Sequence, residues 1–387
     1  MALSILNEDE NAIRDAIVDL VRETIAKRSQ EFDRKALFPR ENMELLGQQG
    51  YLGMIVDPKW GGVGATYLAQ TLVVEAIAAA DPATAVIYEV HNSLHIEGIW
   101  RFGNEEQKTR YLPELCRGQA IGAFAITEAD SGSNAAAMKT RAVKEADGYH
   151  LTGRKMFITS GGEAERYIVF ATVDPNLEEK GITAFIIPKT VKGLDFGPPE
   201  DKLGIRASRT SEMILDDVVV PIEDRLGDEG EGYQIALYLL DGGRIGIAAQ
   251  SVGIMTTALD RSLAYARERK QFGKAIGQFE GVQWRLADMA TDLHAARLMT
   301  YEAARRREEG PDQRPLFAMA KLFASEKAVK HATDAIQIFG GYGYMREYGV
   351  ERLLRDAKVT EIYEGTSEIM RLVIASRLLK EYDLGNI

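Results

Sequence analysis

Ile121-Gly-Ala-Phe-Ala-Ile126 marks the point at which the period of this sequence changes. Before it, apolar residues recur at helical spacing. After it come short runs rich in β-branched and aromatic residues, separated by Gly, Asp and Pro. These runs are Ile121 to Ile126, His150-Leu-Thr, Tyr167-Ile-Val-Phe-Ala-Thr-Val, Ile182-Thr-Ala-Phe-Ile-Ile, Met213-Ile-Leu and Val218-Val-Val-Pro. From Gly232 the helical period returns, through Tyr233 to Arg267, Gln283 to Arg307, Leu316 to Phe339 and Ser367 to Leu379. Helix, then strand, then helix predicts an α+β chain of three units: helical 1–120, β 121–231 and helical 232–387.

The first unit is punctuated clearly. Asn7 with Glu10 reads as a capping pair, and Ile13, Ile17, Leu20, Val21 and Ile25 then share one helical face. Trp60-Gly-Gly-Val-Gly64 reads as a turn. Asp81-Pro82 breaks the helical pattern that runs through Leu72-Val-Val-Glu-Ala-Ile-Ala-Ala-Ala80, and another pattern runs from Glu105 to Leu115.

With 387 residues, 45% of them hydrophobic, the chain can bury a large core and is not of the disordered class. A formal net charge of −11 argues against a nucleic-acid surface. The one basic run, Arg305-Arg306-Arg307, precedes Glu-Glu-Gly-Pro and reads as a helix C-terminus whose cations complement the dipole. Cys116 is the only cysteine, which excludes an intrachain disulfide and reads as packing in a reducing compartment. No apolar run approaches membrane-spanning length, and the N-terminus lacks the pattern of a secretion signal. A soluble cytoplasmic protein, or a mature protein of the mitochondrial-matrix type, is expected. There is no P-loop, and Gly341-Tyr-Gly343 is not a Rossmann fingerprint.

Ile362-Tyr-Glu-Gly-Thr-Ser-Glu-Ile-Met-Arg371 holds a carboxylate, Glu364, between an aromatic and a glycine where a helix starts. Apolar neighbours would raise its pKa towards that of a general base, Gly365 admits a substrate, and Thr366 and Glu368 lie near free helix N–H groups. The same segment also reads as an ordinary loop entering an amphipathic helix. Gly242-Gly243 inside a helical pattern costs about 1 kcal/mol per residue relative to alanine, which asks for either ligand access or a tight helix crossing. His91 and His95, at i and i+4, have a zinc-compatible spacing but no third ligand, and no metal site is expected.

Taken together, seven segments resemble the acyl-CoA dehydrogenase family, nearest to its short-chain, butyryl type. They are Phe124-Ala-Ile-Thr-Glu-Ala-Asp-Ser-Gly-Ser133, Met156-Phe-Ile-Thr159, Asp241 to Gln250, Tyr265 to Gly273, Leu286-Ala-Asp-Met289, Gln337-Ile-Phe-Gly-Gly341 and the Glu364 segment. The resemblance spans about Gly50 to Leu379. It implies two α-helical domains flanking a β-barrel-like domain, the second ending in a four-helix bundle. The implied reaction removes an α-proton and a β-hydride from an acyl-CoA thioester to give a trans-2-enoyl-CoA. Glu364 would be the base and FAD the hydride acceptor, with two hydrogen bonds polarising the thioester carbonyl: one from the Glu364 backbone N–H and one from a flavin ribityl hydroxyl.

The resemblance further assigns flavin contacts to Phe124, Ile126, Thr127, Gly132, Ser133, Phe157, Ile158, Thr159, Thr366 and Glu368. Arg269, Gln271, Phe272, Gln337, Gly340 and Gly341 would hold the pyrophosphate and adenosine across a subunit boundary, implying a homotetramer built as a dimer of dimers. Substrate contacts fall to Ser133, Asp241, Gly243, Arg244, Tyr363 and Gly365, and the His91–His95 segment to the acyl pocket wall. Electrons would pass to an electron-transferring flavoprotein. Relatives that carry the base on the helix holding Gly243 lack it at the other position, so one carboxylate is expected near the α-carbon. The chain departs from the family at Ala129-Asp130, usually Pro-Gly, at Asn134, usually Asp, and at Phe157, commonly Trp. Rival readings are an acyl-CoA oxidase, typically a longer chain, and a flavin-binding scaffold that has lost catalysis.

Overall fold

The computed structural model describes residues 5–381. The chain begins with α1 (Glu8–Glu23), α2 (Ile25–Lys35) and α3 (Arg40–Gln48), followed by α4 (Tyr67–Ala80), α5 (Pro82–Glu89), α6 (Glu97–Phe102) and α7 (Glu105–Cys116). Asn7 and Glu10 form the expected reciprocal cap. The apolar face from Ile13 to Ile25 is not one helix, however. Thr24 hydrogen-bonds its side chain back to the Leu20 carbonyl at 2.6 Å, and the helix ends there. Asp81 ends α4 and caps α5, with Pro82 at its first position. A π-helical stretch, Val90–Ile96, joins α5 to α6.

The middle of the chain is an eight-stranded sheet: β1 (Gly122–Ala125), β2 (Arg141–Glu145), β3 (Gly148–Thr159), β4 (Arg166–Thr172), β5 (Ile182–Pro188), β6 (Leu194–Phe196), β7 (Thr210–Val220) and β8 (Arg225–Leu226). The strand order is β6-β7-β3-β2-β4-β5-β8, with β1 added in parallel to β4. Strand β5 is buried along almost its whole length, which is why it reads as a continuous apolar run. Met213-Ile-Leu and Val218-Val-Val, separate runs in the sequence, are one strand, β7. Its pairing with β3 is interrupted between Lys155 and Ile158, and that bulge puts Phe157 into a left-handed conformation, 62% exposed.

Four long helices dominate the last part: α8 (Gly232–Glu268), α9 (Glu280–Arg305), α10 (Arg314–Phe339) and, after the short α11 (Glu351–Lys358), α12 (Ser367–Glu381). A two-stranded ribbon, β9 (Lys270–Gln271) with β10 (Lys274–Ala275), links α8 to α9. The resulting architecture is an N-terminal helical domain, a middle sheet domain and a C-terminal helical domain. Leu68 and Leu72 of α4 and Val252 and Met255 of α8 share one core cluster, so the two helical domains pack together. Among the described residues no helix is long and apolar enough to cross a membrane.

Two sequence expectations resolve into packing. Cys116 is buried, and desolvation pushes its thiol up to about 12, so it is inert at neutral pH. His91 accepts from the Gly122 N–H at 2.9 Å through Nδ1, and its Nε2 lies 3.1 Å from the Leu115 carbonyl. His95 Nδ1 bonds the Ala123 carbonyl at 2.8 Å. The two imidazoles tie the π-helical stretch to β1 and are not arranged as metal ligands.

Candidate active site

Glu364 lies in the short turn between α11 and α12. Its φ is +54° and that of Gly365 is +94°, two successive left-handed residues that reverse the chain ahead of α12. Thr366 then accepts from the Ile369 N–H at 3.3 Å, the N-cap half of a capping box. Tyr363 donates its hydroxyl to the side-chain carbonyl of Gln250 in α8, and Gln250 donates in turn to the Pro82 carbonyl at 2.8 Å. The turn is thereby fastened to both helical domains. Lys321 of α10, buried, donates to the Gly365 carbonyl at 2.7 Å and fixes its far side.

The Glu364 carboxyl faces α8. A Cβ built on Gly243 would stand 2.8 Å from its carboxyl carbon, so only glycine leaves room for it. Residue 364 keeps some solvent exposure, but its Oε2 is buried and has no hydrogen-bond partner among the described residues. Burial raises the carboxyl to about 7, against the opposing charges of Arg244 and Lys321. Burial likewise lowers Lys321 to about 8, opposed by Glu364. Arg244 and Asp241 are themselves buried and paired at 2.6 Å, and Arg314, which is partly exposed, reaches the other Asp241 oxygen at 2.7 Å.

Beside the one carboxylate expected at the α-carbon, the structure adds Glu89, further along the face of α8. This residue, the last of α5, is fully buried, and a Cβ on Gly246 would stand 2.8 Å from its carboxyl carbon. Gly246 lies one turn beyond Gly243 on the same face of α8. Burial first, and then the charge of Glu364, push the Glu89 carboxyl well above the usual carboxylate range. Glu89 gave no signal in the sequence because it sits in an apolar stretch without motif spacing. Arg305-Arg306-Arg307 does end a helix, α9, and of the three Arg307 is buried and reaches Glu97 at 3.4 Å.

A second group of residues meets at the β3–β7 bulge. The Met156 N–H donates to the Thr127 carbonyl at 2.8 Å, bringing Thr127 beside Phe157, Ile158 and Thr159. Behind them, buried Lys155 donates to the Ile126 carbonyl at 3.2 Å and to Glu128 at 2.8 Å. Glu128 also accepts from the N–H groups of Lys139 and Thr140, at 2.6 and 3.0 Å. The Glu128 to Ser131 turn closes reciprocally despite Ala129-Asp130, and Asp130 pairs with Lys139 at 2.8 Å on the surface. Gly132 and Ser133 are exposed, and a Cβ on Gly132 would meet nothing within 4 Å, leaving open space over this face. Phe124 and Ile126 are buried in a hydrophobic cluster against which Tyr363 also packs.

A third group lines a cavity of about 460 Å³ that includes Arg269, Gln271, Phe339, Gly340, Gly341 and Tyr342. Phe272, beside it, has φ +51° and is 92% exposed. Gln337 is exposed on the last turn of α10 outside this lining, and Glu368 is exposed at the start of α12. The lining includes none of the residues gathered at Thr127 and Phe157, so within one chain these two groups form separate surfaces.

These residues fit a flavin dinucleotide. An exposed aromatic on a bulge beside two threonines suits a planar ring with a polar edge, and an arginine with paired glycines suits phosphate. The comparisons agree. Residues 7–119, 123–218 and 230–379 match the family models for the N-terminal, middle and C-terminal domains of acyl-CoA dehydrogenase. The short-chain specific acyl-CoA dehydrogenase of Clostridium acetobutylicum is 42% identical over 375 residues, covering 97% of this chain and 99% of that one. The structure of butyryl-CoA dehydrogenase from Megasphaera elsdenii superposes with a TM-score of 0.95 at 41% identity, covering 98% of this chain and all of that one. A chain in a study of the electron transferring flavoprotein of Acidaminococcus fermentans gives 0.96 at 42% identity, with 98% and 100% covered. Structural relatives hold FAD, and FAD is the cofactor implied for this chain. Three domain models in order and relatives matched along nearly their whole length make the chain a member of the acyl-CoA dehydrogenase family, an FAD-dependent oxidoreductase.

Proposed function

We propose that the protein dehydrogenates a short or compact acyl-CoA between its α and β carbons, with Glu364 as the base, and passes the electrons to an electron-transferring flavoprotein. The observation that carries this reading is the buried Glu364 carboxyl, raised to about 7 and fitted against Gly243. A carboxylate of that basicity is half ionised at neutral pH and suited to taking a proton from carbon next to a thioester. When bound, FAD supplies the hydride acceptor for the β-carbon, at N5. Thr127, Phe157, Ile158 and Thr159 would hold the ring, with Phe124, Ile126, Gly132 and Ser133 shaping the loop and Thr366 and Glu368 contributing from α12.

The Glu364 backbone N–H would donate to the thioester carbonyl and stabilise developing enolate charge. Arg244, held by Asp241, favours the ionised base, and Lys321 fixes the turn that carries it. Gly365 and Tyr363 bound the substrate on that side, and Ser133 would touch coenzyme A. Arg269, Gln271, Phe272, Gln337, Gly340 and Gly341 would reach the pyrophosphate and adenosine of a neighbouring subunit in a homotetramer. The high exposure of Phe272 supports this arrangement. Residues 1–120, 121–231 and 232–387 then act as three units around one cleft.

The test is anaerobic bleaching of the bound flavin by a panel of acyl-CoA thioesters, followed by electron transfer to an electron-transferring flavoprotein. Bleaching by short thioesters, faster than by palmitoyl-CoA, is expected. A yellow preparation that bleaches with none would overturn the assignment in favour of a scaffold, and rapid peroxide formation in air would indicate an oxidase.

A further inference from the structure

We infer that the acyl group taken by this cleft carries an uncharged oxygen, a hydroxyl or a carbonyl, and that Glu89, Tyr67 and the Glu97–Arg307 pair recognise it. The inference rests on the dehydrogenase reading and names the class of its substrate.

Gly242, Gly243 and Gly246 lie on neighbouring positions of one face of α8. At Gly243 stands the base. At Gly242, a Cβ would meet Tyr67 Oη at 2.5 Å, Glu97 Oε2 at 3.2 Å and Arg307 Nε at 3.4 Å. At Gly246 stands the Glu89 carboxyl. All four side chains belong to buried residues, and Tyr67 Oη, both Glu89 oxygens, Glu97 Oε2 and Arg307 Nε have no hydrogen-bond partner of ordinary geometry among the described residues. Ser93 acts on both Tyr67 and Glu89 as a hydrogen-bonding hydroxyl at the margin of range, but it also accepts from Gln70 at 3.1 Å, and its one proton can serve only one of them at a time. Unpaired buried polar atoms are uncommon and costly, and five converging beside a substrate site are a surface made for hydrogen bonds. A purely hydrocarbon acyl chain would leave them unsatisfied.

Position and charge narrow the class. Arg314 marks the solvent edge of α8 at Asp241, whereas Gln250 beyond Gly246 is fully buried, so Glu89 stands at the inner end. One helical turn, roughly 4.5 to 5.4 Å, separates it from the base, which places the recognised oxygen several bonds beyond the α-carbon. Each nearby guanidinium is already engaged: Arg307 by Glu97 at 3.4 Å and the Tyr238 carbonyl at 2.8 Å, Arg101 by Glu308 and more loosely by Glu97 at 3.9 Å, and Arg244 by Asp241 at 2.6 Å. A carboxylate on the substrate would therefore meet two further carboxyl groups with no uncommitted cation beside them among the described residues, and a neutral oxygen would not.

The experiment compares hexanoyl-CoA, ω-hydroxyhexanoyl-CoA and adipoyl-CoA as reductants of the FAD-loaded enzyme under anaerobic conditions, in wild type, Glu89→Leu and Glu89→Gln. The wild type is expected to favour the hydroxylated thioester over hexanoyl-CoA by at least about tenfold in kcat/KM. Glu89→Leu should cut that ratio by at least about tenfold, chiefly through KM, and Glu89→Gln should retain part of it. Equal use of the hydroxylated and plain thioesters by the wild type, a ratio unmoved in Glu89→Leu, or a preference for adipoyl-CoA would each overturn the inference while leaving the dehydrogenase assignment standing. If Glu89→Leu does not fold, the wild-type ratio and Glu89→Gln decide. Bleaching by none of the three thioesters, nor by any other acyl-CoA, would overturn both.

Discussion

Gly243 and Glu364, more than a hundred residues apart in the chain, are fitted to each other: a Cβ on the glycine would stand 2.8 Å from the carboxyl carbon of the glutamate. The missing side chain of α8 is the space in which the carboxyl sits. The two glycines of Gly242-Gly243 thus have separate reasons, one facing Glu364 and the other facing Tyr67, Glu97 and Arg307.

Glu364→Gln should leave a folded, yellow protein whose flavin is reduced at least about a hundredfold more slowly by its best thioester. Anaerobic stopped-flow bleaching measures this. A rate above about a tenth of wild type would remove Glu364 from the role of base.

The pH dependence follows from the raised carboxyl. Glu364 must be ionised to accept a proton, so kcat/KM should rise as pH increases through about 7 and level off above it. For stability the sign is opposite. Burial lifts the folded-state value above the ordinary 4.5 to about 7, so the folded chain holds an extra proton within that window. The contribution of this group to stability is therefore greatest below 4.5 and falls as pH rises to about 7. Denaturant titrations of wild type and Glu364→Gln across this window should differ in slope, and parallel curves would contradict the shift.

Glu364→Gly combined with Gly243→Glu should recover part of the activity lost in Glu364→Gly alone. Removing the carboxyl clears the space that a new side chain on α8 needs, and glycine accepts the left-handed conformation at 364 without strain. Full recovery is not expected, because a transplanted carboxylate seldom reaches the best attack geometry. A double mutant that folds and binds FAD and thioester, yet is no faster than the single mutant, would show that position 243 does not face the α-carbon.

Arg269→Ala should weaken FAD retention and subunit assembly together, since the residue lines the 460 Å³ cavity beside the exposed Phe272. Flavin occupancy and light-scattering mass at several protein concentrations give the two readings. If neither changes, Arg269 is a solvated helix end.

Lys155→Met should lower flavin occupancy more than Lys155→Arg. The Lys155 ammonium links Glu128 at 2.8 Å with the Ile126 carbonyl at 3.2 Å, and removing it strands a buried carboxylate behind Thr127. Equal occupancy in the methionine and arginine variants, measured by the flavin-to-protein absorbance ratio, would confine the pair to general stability.

The helix–strand–helix order was legible from Ile121 onward because periodicity is local: a helix repeats every 3.6 residues and a strand every two, and both leave their mark within one element. The Asn7–Glu10 cap and the Asp81-Pro82 break were readable for the same reason. Strand β2 was not, since four of its five residues are exposed and it carries little apolar signal. Glu364 stood out as a candidate because a carboxylate between an aromatic and a glycine at a helix start is a local pattern. Its surroundings came from elsewhere in the chain: Lys321 from α10, Gly243 and Arg244 from α8, and Glu89 from the end of α5. Arg305-Arg306-Arg307 shows the limit most plainly. Three identical side chains in a row at a helix end look equivalent, yet Arg306 stays exposed while Arg307 is buried against Glu97, 210 residues away. Charge and spacing determine what a residue can do, but only packing decides which residues lose their water, and burial is what turns a carboxylate into a base or an arginine into part of a recognition site.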